Sequence, residues 1–214
     1  WARSEAREVE VARERYVSGN WAVPSLNNQP FLEKPPLMPA LTDAACLIME
    51  PVVATHPVLP LDGYLQACRE LCTATGALLI FDEVVTGFRM ALGGAQEQYG
   101  IRADLVASGK AMANGMPLSI VTGRRGLMHK LGGEVFASTT FGGETLSLAA
   151  AKATITKLRD ERVSEQTGLL GIAIMDCYAE IVRQAGMQGA TRIIGYPQRP
   201  VVVWDDAAQG KRFS

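Results

Sequence analysis

Two short runs hold the side chains best suited to covalent or acid–base chemistry. The first is Phe81-Asp82-Glu83-Val84-Val85-Thr86-Gly87-Phe88-Arg89, where an acidic pair follows the unbroken apolar stretch Ala77-Leu78-Leu79-Ile80-Phe81. The second is Ala107-Ser108-Gly109-Lys110-Ala111-Met112-Ala113-Asn114-Gly115-Met116-Pro117, where a single lysine stands among small and apolar residues. A carboxylate at the end of a buried strand lies in a partly desolvated crevice and needs a cation or a donor. A lysine in apolar surroundings favours the neutral amine, which is then available as nucleophile or base. Gly109 lets the backbone pass closely, and Gly115 with Pro117 predicts a sharp turn. On the residues alone three readings stay open: a structural ion pair, a nucleotide site and a Schiff-base site. The nucleotide reading is weak. A P-loop ending in Gly109-Lys110 needs glycine at position 104, which is Asp104, and no G-x-G-x-x-G follows a strand.

The elements that must position these runs are legible around them. Ala45-Cys46-Leu47-Ile48-Met49 predicts a short buried strand ending at Glu50-Pro51. Asp62 is the expected cap of a helix in which Leu65, Cys68, Leu71 and Cys72 recur at helical spacing, with Gly76 as its stop. Residues 77–81 are apolar at every position, as a strand covered on both faces must be. Strand, helix, strand in that order predicts a parallel crossover. Further strands are expected at 105–108 and 118–122, helices at about 145–159 and 164–185, and strands at 191–194 and 200–204. The fold class is α/β: a mostly parallel sheet with flanking helices, followed by part of a smaller α/β layer. Both chemical runs then fall at the carboxyl edge of the sheet, where open α/β sheets bind their ligands. The expected organisation is an irregular segment over 1–43, rich in Asn and Pro, a large-domain core over 44–160 and a partial second domain over 161–214.

Composition narrows the function classes. The chain has 214 residues, 48% of them hydrophobic and 20% charged, as expected of a globular protein. Twenty-one basic residues face 22 acidic ones, and a net charge of -1 offers no electrostatic footprint for nucleic acid or an anionic membrane. No apolar run approaches the roughly 20 residues of a membrane helix. Four cysteines (Cys46, Cys68, Cys72, Cys177) without a CxxC predict reduced core thiols in a cytoplasmic protein. With only His56 and His129, no zinc site is expected.

Three motifs carry a family resemblance. Leu79 to Arg89 resembles the aspartate motif of the class III aminotransferases, nearest the glutamate-1-semialdehyde aminomutase branch. Ala103-Asp104-Leu105 with Ser108 to Pro117 resembles that family's lysine motif. Ser138-Thr139-Thr140-Phe141-Gly142-Gly143-Glu144 resembles its phosphate-contact segment. The resemblance covers residues 44–160 and implies a fold type I enzyme dependent on pyridoxal 5'-phosphate. Lys110 would hold the cofactor as a Schiff base and then serve as general base and acid. Asp82 would pair with the pyridinium nitrogen, Val84 would pack on the ring, and Thr139 or Thr140 would donate to the phosphate. Glu83 is expected at the cofactor site or in an ion pair with Arg89. The substrates implied are a small-molecule amino donor and a keto or aldehyde acceptor, and the assembly implied is a homodimer. Two alternatives stand beside amino transfer: the intramolecular aminomutase reaction, and a non-catalytic fragment or partner subunit. Family members are longer at both ends, their amino-terminal half supplying a phosphate loop and a stacking aromatic, so the chain is expected to be a piece of a longer protein. The branch's asparagine after Glu50-Pro51 has no counterpart here, where Thr55 and His56 stand.

Overall fold

A computed structural model describes residues 46–55, 57–131, 133–135, 140 and 142–205. The expectations for residues 1–43, His56 and Thr139 lie outside the described residues. Strand β1 (Cys46–Met49) leads through helix α1 (Tyr64–Thr75) to β2 (Leu78–Glu83). Helix α2 (Gly94–Tyr99) precedes β3 (Leu105–Ser108), and a 3-10 turn (Lys110–Ala113) precedes β4 (Ile120–Gly123). The short α3 (Arg125–Met128) and the long α4 (Thr145–Asp160) and α5 (Val163–Gln184) follow. A hairpin of β5 (Thr191–Tyr196) and β6 (Arg199–Trp204) ends the described chain.

The main sheet has the order β1-β2-β3-β4. Its first three strands are parallel and β4 runs antiparallel to β3. The α/β expectation is met, with a correction at β4, which occupies 120–123 rather than 118–122. The turn through Gly115 and Pro117 reverses the chain, so β4 returns along the edge instead of crossing over. One face of β2 buries Leu79 and Phe81 against Leu65, Cys68, Leu71 and Cys72 of α1. That is the helical spacing the sequence predicted. The helix ends at Gly76, whose φ of 76° only glycine adopts freely. Asp62 does not cap its start; Gly63 takes that position and no side chain caps it.

The amino end of the sheet is locked by Asp104. One carboxylate oxygen accepts from Arg69 Nη1 at 2.7 Å and from the Leu79 amide at 2.8 Å; the other accepts from Arg124 Nη1 at 3.0 Å. Burial alone would raise this carboxyl's pKa, but the donors from Arg69, Leu79 and Arg124 together hold it below the ordinary value. The residue that rules out a P-loop is therefore a clasp joining α1, β2, β3 and the chain after β4.

Helix α5 packs on the hairpin through Gly171, where a Cβ would stand 1.7 Å from the Pro197 carbonyl oxygen. The hairpin tip then meets the loops at the carboxyl end of the main sheet. Tyr196 shares a buried cluster with Val52, Met90 and Ala95, and Gln198 Nε2 donates to Ser164 O at 3.0 Å. All four cysteines are free; Cys68 and Cys72 are buried and Cys46 is half-buried. Cys177 is exposed, against expectation, because it lies on the face of α5 turned away from the hairpin.

Candidate active site

Parallel register decides how the two chemical runs meet. Asp82 pairs with Ala107 and Glu83 with Ser108, so both runs leave the sheet at the same edge of adjacent strands. Such strands lie about 4.8 Å apart. Lys110 follows Ser108 by two residues. The loops themselves touch: a Cβ on Gly109 would stand 3.8 Å from Val84 Cγ1, and one on Gly87 would stand 3.4 Å from Ser108 Oγ. Gly87 leaves no room for a side chain, since a Cβ there would stand 2.6 Å from the Glu83 carbonyl oxygen.

Alternation along β2 separates its two acids. Asp82 is half-buried on the face of Leu78 and Ile80, while Glu83 is buried on the face of Leu79 and Phe81. Asp82 Oδ1 accepts from the Val84 amide at 3.0 Å, so one oxygen caps the turn after the strand. Its other oxygen has no hydrogen-bond partner among the described residues. Glu83 is 1% exposed and fully engaged. It accepts from the Ala95 amide at 2.6 Å, the Gln96 amide at 3.1 Å and Thr86 Oγ1 at 3.0 Å. The anticipated pair with Arg89 is not formed; Arg89 Nη1 donates to the Val85 carbonyl oxygen at 2.6 Å.

Lys110 opens the 3-10 turn with φ of 40°, a left-handed conformation that non-glycine residues seldom hold without reason. It is exposed, which corrects the expectation of a desolvated lysine. The segment after it is anchored firmly. Met112 and Ala113 bury themselves with Ala151 of α4, and Phe88, Met116, Leu118, Ile120 and Ile155 pack around them. One apolar cluster thus draws on the acid run, the lysine run and the helix after the third motif. Thr140 is an exposed turn residue. Glu144 caps α4, accepting from the Leu146 and Ser147 amides at 2.6 and 2.7 Å. Glu50, after β1, accepts from the Ala54 amide at 2.6 Å and shapes the neighbouring turn.

Sequence reasoning missed the part played by Gly94. Its φ is 71°, and a Cβ there would stand 2.1 Å from Glu83 Oε2. The signal was present as Gly93-Gly94 shortly after the acidic pair, but it gains meaning only when Glu83 is seen to turn toward α2.

Comparison with known proteins agrees with this geometry. The profile of the class III aminotransferases matches residues 39–195. The glutamate-1-semialdehyde 2,1-aminomutase of Methanothrix thermoacetophila is 41% identical over 153 residues, covering 69% of this chain and 36% of that protein. The enzyme of the same name from Alkaliphilus oremlandii is 44% identical over 138 residues, covering 63% of this chain and 32% of that protein. Among solved structures, a transaminase with PLP bound superposes with a TM-score of 0.70 at 28% identity, covering 76% of this chain and 39% of that one. The ornithine aminotransferase of Toxoplasma gondii superposes with a TM-score of 0.73 at 27% identity, covering 94% and 50%. The chain thus spans about a third of the length of the curated relatives it matches. With the aspartate and lysine motifs at one sheet edge and a matching profile over most of its length, the chain belongs to the class III aminotransferase family.

Proposed function

We propose that the protein to which this chain belongs carries out amino-group transfer with pyridoxal 5'-phosphate, using Lys110 and Asp82. The observation that carries this reading is the parallel register that delivers an unengaged carboxylate oxygen and a strained, exposed lysine to one edge of the sheet. The residues fit the group. Asp82 keeps one oxygen free for a protonated ring nitrogen, and Val84 offers an apolar surface beside Gly109. Bound pyridoxal phosphate supplies a conjugated electron sink for the carbanion formed at the substrate's amine-bearing carbon.

The chain's own residues do the rest. Asp82 holds a proton on the ring nitrogen by charge-assisted hydrogen bonding. Lys110 would be the covalent attachment point, and its Nζ would act as general base and acid, accepting and releasing the proton that moves during amino transfer. Val84 would pack on the ring face. Thr140 or Thr139 donates a hydroxyl to the phosphate, in the homodimer we propose that of the partner subunit. The substrates are a small-molecule amino donor and a keto or aldehyde acceptor, and the protein works in the cytoplasm. We place the main unit at 44–160 and a partial second unit at 161–214.

A second reading, intramolecular transfer by an aminomutase, is favoured by the names of the curated relatives. A third, a non-catalytic fragment or partner subunit, follows from the small share of those relatives that the chain spans. One experiment separates them. Added pyridoxal phosphate is expected to give the parent an absorption band near the visible that Lys110→Ala lacks. Turnover of glutamate-1-semialdehyde without a second substrate selects the mutase; turnover needing a separate donor selects the transferase. A full-length parent that binds no cofactor refutes both and leaves the non-catalytic reading.

A further inference from the structure

Glu83 stands next to the proposed cofactor acid yet points the other way. Its side chain enters the core face of β2, where both oxygens are taken up by three donors from two segments. Two of these are the amides of Ala95 and Gln96 in the first turn of α2; the third is the hydroxyl of Thr86 in the loop between. The Glu83 carbonyl oxygen also accepts from the Gly87 amide at 2.8 Å. The loop is therefore held to Glu83 at both main chain and side chain. Gly94 exists on the same account, since any Cβ there would strike the carboxylate.

We propose that Glu83 is a positioning residue for Asp82: its buried carboxylate fastens the loop after β2 to α2 and so sets the direction in which Asp82 presents its free oxygen. This inference rests on the cofactor role proposed above for Asp82. The link runs through Val84. Its amide both follows Glu83 in the chain and donates to Asp82 Oδ1, so rotation of the loop breaks the bond that orients the acid. Side-chain chemistry makes glutamate specific here. The Ala95 and Gln96 amides can only donate, and they address different oxygens. A glutamine of the same shape has one acceptor oxygen, so its NH2 must face one of those amides. An aspartate is one methylene too short to reach both. Burial pushes the Glu83 pKa up, while the Ala95 and Gln96 amides and the Thr86 hydroxyl draw it back, so the net position is above the ordinary value.

The test combines backbone exchange with cofactor binding in Glu83→Gln. Loss of one hydrogen bond, on the order of 1 kcal/mol, is expected to speed hydrogen–deuterium exchange of the Val84 amide about fivefold. Amides of Leu105–Ser108 in β3 should keep their protection. Titration with pyridoxal phosphate should show weakened binding of similar size, whereas Arg183→Ala, which removes only an exposed ion pair with Glu180 on α5, should leave the Val84 exchange rate at the parent's value. Unchanged Val84 exchange in Glu83→Gln, or an equal rise throughout β2 and β3, overturns the proposal. If Glu83→Gln does not fold, Thr86→Ala removes one donor only. A severalfold faster Val84 exchange then supports the proposal and an unchanged rate overturns it. A parent that binds no pyridoxal phosphate sinks the cofactor reading, while the exchange measurements still decide whether Glu83 orients Asp82.

Discussion

Asp82 and Glu83 show how adjacent residues of one type acquire separate tasks. The alternation of a strand sends one to the half-buried face and the other into the core. Asp82 retains an oxygen that no described donor occupies, whereas each Glu83 oxygen is claimed. Replacing Asp82 by Asn keeps the shape and the turn-capping oxygen but removes the charge that holds a proton on the ring nitrogen. A hydrogen bond to a charged group contributes about 1.5–3 kcal/mol. Asp82→Asn is therefore expected to weaken pyridoxal phosphate binding by roughly ten- to a hundredfold, read by spectrophotometric titration, with the melting temperature close to the parent's. An unchanged affinity would remove Asp82 from the cofactor site.

At the scale of elements, the register of β2 against β3 decides whether acid and lysine meet, and Asp104 guards that register from the opposite end. Its buried carboxylate joins Arg69, the Leu79 amide and Arg124. Leaving a buried donor without its acceptor costs about 1–3 kcal/mol, and Asp104→Asn should lose stability of that order, measured by urea unfolding at neutral pH. The pH dependence follows from the depressed folded-state pKa. The unfolded chain binds the proton more readily, so the stability Asp104 contributes is fully present above the ordinary value of 3.8. It disappears as pH falls through the lower folded value. The gap between parent and Asp104→Asn should close over that acid window; a gap that persists below it would show that charge is not what Asp104 contributes. Glu83 has the opposite sign, its raised value meaning that stability falls as pH rises through it.

At the scale of the molecule, α5 is buried on one side only. Gly168, Gly171 and Val182 face inward, while Leu170, Ile174 and Ile181, at helical spacing, are 62%, 47% and 56% exposed. The first strand, β1, pairs only with β2 among the described residues, and Ile48 is exposed on it. Apolar surface of this extent drives association. The chain is expected to self-associate, with sedimentation velocity showing species larger than a monomer. The double substitution Leu170→Glu with Ile174→Glu should shift the distribution toward monomer while the far-ultraviolet circular dichroism stays the same. A parent that sediments as a monomer at all concentrations would contradict this.

Local pattern and chemistry made much of this protein legible beforehand. The apolar run at 77–81, the helical spacing of Leu65, Cys68, Leu71 and Cys72, the Gly76 stop and the two motifs with Asp82 and Lys110 all depend on neighbours within a few residues. Periodicity and short-range sterics settle such features. Tertiary structure alone decided the rest. That Glu83 turns to α2 rather than Arg89, that Gly94 must lack a side chain, that Asp104 is a clasp, that β4 runs backward and that Cys177 and Lys110 are exposed each depend on residues brought together from distant positions. A buried donor or acceptor takes whichever partner the packing delivers, and no spacing along the chain encodes that choice.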